Sequence, residues 1–156
     1  MTEKRAGMGL GLAVLAFVAY VSLGLPDGLL GVAWPSMRRD FSLSLDSLGW
    51  LFAAFTVGYL SSSFFAGRLM ARLRLGTLLT LSTFLAGAAL VGYGVAPGWW
   101  VVVALGVAAG LGGGGIDAAL NIYVATNHGE GMMQWLHATY GVGATVGPVI
   151  MTLAIG

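Results

Sequence analysis

This chain has no cysteine, only four prolines, and charge at 8% of its 156 positions. Without cysteine there is neither a disulfide framework nor a thiolate metal site, although the cellular compartment stays open on that evidence. An average soluble domain is charged at about a quarter of its positions, so a chain this poor in charge cannot wet its own surface. The net charge of +1, with no basic run interleaved with aromatics, leaves no footprint for nucleic acid. A nucleophile elbow and a phosphate-binding lysine loop are both missing. Beyond the apolar runs no linker, repeat or polar domain is visible.

What the chain does have is apolar residues, 58% of the total, and 26 glycines scattered through the apolar runs. A bilayer core takes about 20 apolar residues as a helix. Five such stretches are predicted, over residues 8–37, 47–67, 75–96, 99–126 and 131–156, as a single membrane domain. "APGWW" (Ala96 to Trp100) divides the long uncharged run between Arg74 and Asp117 with a turn and interfacial tryptophans. "TNHGEG" (Thr126 to Gly131) is the next polar break, and His128 is expected to be solvated there. The opening "MTEKR" precedes an apolar run too long for a signal peptide. Lys4, Arg5, Arg68, Arg72 and Arg74 fall on the side of the N-terminus, against Arg38 and Arg39 on the other, which predicts a cytoplasmic N-terminus in a multi-pass protein of the cell membrane.

"GLGGGG" (Gly110 to Gly115) spells a dinucleotide-binding turn, but that reading requires a preceding strand. Gly106, Gly110 and Gly114 also recur every four residues, which places them on one helical face as a packing surface. Gly143 and Gly147, with Pro148 following, read in the same way as a packing face with a kink.

Asp27 and Asp117 are the most informative residues, because an intramembrane acid costs roughly 2.5 to 3.5 kcal/mol on insertion scales and typically faces a functional cavity. At about 1.5 Å per residue, each lies about 15 Å from one end of its span, near the midplane. Carboxyl groups in low-dielectric surroundings that water still reaches bind protons nearer physiological pH than exposed ones do, as proton coupling requires. Asn121, one turn beyond Asp117, offers a donor and an acceptor for a polar solute. Gln134 and His137, early in the fifth span, complete the candidate proton and substrate residues. The histidines and Glu130 lack the spacing of a helical ligand pair, so neither a metal nor a cofactor is expected. Pro26 should bend or open the first helix beside Asp27, and Pro35 should mark its end.

"GRLMARLRLG" (Gly67 to Gly76) resembles the signature loop G-x-L-x-D-R-x-G-R-R of the major facilitator superfamily, matching at Gly67, Leu69 and Arg72 and departing from it at Ala71 and Arg74. "GLPDGLLGVAWPSMRRDF", "GGGIDAALN" and "WLHATYGVGATVGP" are similar to the fucose-permease-like branch of sugar:proton symporters. The resemblance implies an all-α integral membrane protein, with about five helices of a six-helix half. It also implies proton-coupled transport of a small polar solute such as a sugar, with one acid on the first helix and one on the fourth taking part. A missing C-terminal half would then be a partner, together with lipid, solute and protons. "GATVGP" partly resembles an antiporter motif of the fifth helix, with Met151 and Thr152 in place of its last glycines. Two intramembrane acids also suggest an aspartyl protease, but the neighbouring residues, Pro26 and Gly115-Ile116, do not match that pattern. A non-transporting membrane scaffold is the remaining alternative.

Overall fold

The computed structural model describes residues 10–128 and 130–155. In chain order it contains α1 (Leu10–Asp40), one 3-10 turn (Leu45–Ser47), α2 (Leu48–Arg72), α3 (Leu75–Val95), α4 (Trp99–Asn127) and α5 (Glu130–Ile155). At about 1.5 Å per residue, even the 21 residues of α3 reach roughly 30 Å, the thickness of a bilayer core. Among the described residues, four helices are long and apolar enough to cross a membrane, lying in α1 to α4. α5, at 26 residues, is of comparable length. Phe64, Phe84 and Leu153 are each more than 70% exposed. In water so many open apolar side chains would drive aggregation; facing lipid, they are in their proper solvent.

The chain divides into two compact units. The first joins the part of α1 up to Leu29 to the chain from Leu120 onward, and the second is Leu30–Ala119.

In the second unit the glycines of α4 form two stripes. Gly106, Gly110 and Gly114 face α2: a Cβ at Gly110 would collide with the Phe55 carbonyl oxygen, and one at Gly106 would lie 2.8 Å from Leu51 Cδ1. Gly58 of α2 makes the reciprocal approach to the Val107 carbonyl. Gly112 and Gly115 face α3, where added Cβ atoms would lie 2.6 Å from the Ser82 carbonyl oxygen and 2.5 Å from its hydroxyl. Apolar association has little driving force in lipid, so packing this close is what joins the helices. At one end of the unit Trp34, Leu51, Trp99 and Val102 form a buried cluster. The Trp34 and Trp99 rings lie 5.7 Å apart.

The first unit uses the same device on other helices. Gly24 and Gly28 of α1 meet Gly143 and Gly147 of α5, four residues apart on each side. An added Cβ would strike the Tyr140 carbonyl at Gly24, the Val21 carbonyl at Gly143, and would lie 2.6 Å from the Leu25 carbonyl at Gly147. Pro148 cannot donate to the Ala144 carbonyl one turn back. Gly28 packs against that carbonyl, 2.5 Å from where its Cβ would be.

Pro35 does not mark the end of α1, because the helix runs on through Pro26 and Pro35 to Asp40. Each removes a single backbone bond, and the glycine contacts on α5 hold the helix across Pro26. The stop comes later. Ser42 takes a left-handed φ of 52°, its N–H donates to Arg39 at 3.2 Å, and Leu43 N–H donates to Arg38 at 2.9 Å. This is a Schellman cap with serine where glycine is favoured, and Arg38 Nε reinforces it by donating to the Leu43 carbonyl at 3.1 Å.

Two stability outcomes follow, both read by thermal unfolding in detergent. Ser42→Gly relieves left-handed strain and stabilises the protein by about 1 kcal/mol. Gly110→Val overpacks the α2–α4 contact and costs about 1–3 kcal/mol, whereas Gly87→Ala, inside α3 with open space around it, does not lower the midpoint.

Candidate functional site

Asp117 is carried at half-burial by α4, one turn beyond Gly114. Because glycines bring α2 so close, Tyr59 of that helix reaches it, and the phenol donates a 2.6 Å hydrogen bond to Asp117 Oδ2. Beside this pair the wall is polar: Ser62 Oγ donates to the Tyr59 carbonyl at 3.1 Å, and Ser63 Oγ lies 3.5 Å from the Gly114 carbonyl. A carboxylate held by a phenol among hydroxyls can accept a proton, bind a small cation or receive a solute hydroxyl.

The first unit holds the other candidates. Asp27 is exposed, and its Oδ2 accepts a hydrogen bond from the Tyr140 hydroxyl of α5. Asn121 is half-buried, and its Oδ1 accepts from the Tyr20 hydroxyl at 2.9 Å. Tyr20 is itself 1% exposed and meets the edge of the His137 ring at 5.8 Å. His137 and Gln134 are both exposed on α5, about one turn apart. The structure thus gathers Asp27, Asn121 and His137 around the tyrosines of one unit and places Asp117 with Tyr59 in the other. Among the described residues, no group of three histidine or carboxylate side chains is arranged to hold a metal ion.

His128 departs from its expected solvated position. α4 continues to Asn127, and His128 N–H bonds back to the Val124 carbonyl at 2.8 Å. The last turn therefore folds the imidazole inward, 5.6 Å from the Tyr123 ring, with Nε2 buried.

Gly67, Leu69 and Arg72 all lie in the last turns of α2, and the connection to α3 is only Leu73–Arg74. Leu73 N–H closes the helix on the Leu69 carbonyl at 2.7 Å. Arg68 lies over the Phe64 and Phe65 rings at 5.8 and 5.7 Å.

Sequence reasoning missed the three tyrosines. Their signal is faint, because a tyrosine in an apolar run is ordinary; Tyr20, Tyr59 and Tyr140 could be singled out only as the few hydroxyl donors long enough to reach a neighbouring helix.

The family model described as Major Facilitator Superfamily matches residues 12–156. Among curated proteins, the chain is similar to sodium-dependent glucose transporter 1 of Rattus norvegicus, 26% identical over 92% of this chain and 30% of that protein. The Homo sapiens protein of the same name is also 26% identical, over 88% of this chain and 27% of its own length. The chain thus spans under a third of the curated relatives it matches. No solved structure matches at a significant level.

Tyr20→Phe should lower stability by about 1 kcal/mol, read as a fall in the unfolding midpoint, because Asn121 Oδ1 loses a buried donor.

Proposed function

The chain belongs to the Major Facilitator Superfamily, and we propose that it supplies the N-terminal helices of a secondary transporter that moves a sugar or similar polar solute by coupling it to a proton. The family is one of multi-pass membrane transporters, not enzymes, so the aspartyl-protease reading has no support. The observation that carries the proposal is the pair of intramembrane acids. Asp27 and Asp117 each sit in an apolar helix and each accept from a tyrosine of another helix. Acids placed within membrane-spanning helices are expensive unless they do work.

In this reading Asp27 and Asp117 take and release the coupling ion. Asn121, with His137 and Gln134 nearby on α5, offers polar contacts to the solute. The glycine faces of α4 and α5 are the packed surfaces that let helices rock as bodies. The relatives are more than three times as long, and we take the pathway to be completed by helices equivalent to the rest of their length. The membrane is the cell membrane, with the N-terminus on the cytoplasmic side, as the distribution of Lys and Arg favours.

A second reading of the coupling ion has its own support. The similar proteins are named as sodium-dependent glucose transporters, and a carboxylate beside hydroxyl oxygens suits sodium as well as a proton.

The test is uptake of radiolabelled hexoses into proteoliposomes holding the complete gene product that carries these helices, under a pH gradient or a sodium gradient separately. The expected result is accumulation driven by the pH gradient. Asp117→Asn and Asp27→Asn should each lower it by about tenfold or more, the scale of a lost charge-assisted hydrogen bond, with normal membrane insertion. Accumulation under the sodium gradient alone transfers the proposal to sodium. Full uptake by both variants overturns the role of the acids and favours a scaffold.

A further inference from the structure

The two aspartates are held by the same local construction, built twice from different helices. On α4, Gly114 packs against the carbonyl of Tyr59, and Asp117, three residues on, accepts from the hydroxyl of that tyrosine. On α1, Gly24 packs against the carbonyl of Tyr140, and Asp27, again three residues on, accepts from the hydroxyl of that tyrosine. In sequence these are "GLPD" and "GGID", a Gly-x-x-Asp on one helix closed by a tyrosine from another. Residues three apart share a helix face, so glycine and aspartate address one neighbour together. The helix order also corresponds: α1 leads α2 as α4 leads α5, and each construction joins the leading helix of one set to the second helix of the other.

We propose that this glycine–aspartate clasp is a paired coupling element, in which Tyr59 and Tyr140 are positioning residues that fix the carboxyls of Asp117 and Asp27 to the neighbouring helix. The physical reason is twofold. The glycine lets the tyrosine backbone approach to contact distance, so the phenol cannot retreat along its own helix. A phenol donating to a carboxylate makes a charge-assisted bond about twice as strong as a neutral one. A phenol also accepts from a protonated acid, so the contact persists with donor and acceptor exchanged when the carboxyl changes state, and the adjoining helix registers the change. The other ionisable groups on the elements concerned are few. For Asp27 they are Tyr20, Arg38, Arg39 and Asp40 on α1, with Glu130 and His137 on α5; for Asp117 they are Tyr123 on α4 and Tyr93 on α3, with Arg68 and Arg72 at the end of α2.

The role in coupling rests on the transport function proposed above, but the clasp itself does not. The first measurement is therefore infrared spectroscopy of the purified protein, with carboxyl bands assigned by Asp117→Asn and Asp27→Asn. Tyr59→Phe should displace the Asp117 band and Tyr140→Phe the Asp27 band, each leaving the other in place, while Tyr93→Phe moves neither. Phenylalanine keeps the ring and the backbone contact with glycine, so these variants remain folded. A carboxyl band that stays in place in its own tyrosine variant overturns the clasp. In proteoliposomes, gradient-driven uptake by either Tyr→Phe variant should fall by about tenfold or more. Solute exchange, which needs no release of the coupling ion, should stay within about twofold of the unmodified protein. Equal loss of uptake and exchange, or loss of neither, overturns the positioning role. Should the unmodified protein move no sugar at all, the function proposal fails, and the infrared bands still decide the clasp.

Discussion

The approach of helix backbones at glycine is the constraint on which the rest of this structure depends. In lipid an apolar side chain gains nothing by leaving one hydrocarbon surface for another, so helices associate where their shapes allow contact along the main chain. α4 meets that requirement on two sides, with Gly106, Gly110 and Gly114 toward α2 and Gly112 and Gly115 toward α3. Half of its span is buried, against 17–22% in the other three candidate spans. A methyl group at most of these positions would strike backbone, which cannot turn aside as a side chain can.

Chemistry is placed by the same constraint. The phenol of Tyr59 reaches Asp117 because the backbone of Tyr59 is already against Gly110 and Gly114. Tyr140 reaches Asp27 because its carbonyl is against Gly24. Packing and polar recognition are therefore two consequences of one contact, and an acid that would be costly alone in hydrocarbon is given a donor by the helix that stabilises its own. Asn121 obtains a partner in a related way from the buried Tyr20, whose ring also touches His137.

The helical class was legible because it depends on local composition. Uncharged runs of about 20 residues demand backbone bonds satisfied within the segment, and in a bilayer that means helix. The end of α1 was less legible. Pro35 looks like a stop, yet the chain turns at Ser42, where a left-handed residue and Arg38 close a cap that no proline rule announces. His128 was misread for a similar reason, since its inward turn depends on α4 continuing to Asn127.

Asp27, Asp117, Asn121 and the glycine periods stand out in the sequence because charge, amide and small residues are anomalies in apolar helices, and an anomaly needs no neighbour to be seen. Their partners do not stand out. Nothing in the local surroundings of Tyr20, Tyr59 or Tyr140 says which helix will lie opposite, and glycine periodicity gives a smooth face without saying what packs on it. The sequence by itself determined that the chain is a set of membrane helices carrying two acids and several close-packing faces. Only the tertiary structure decided that Gly24 and Gly114 each bring up a tyrosine whose hydroxyl meets the aspartate three residues on, because that depends on which backbones come into contact across helices far apart in the chain.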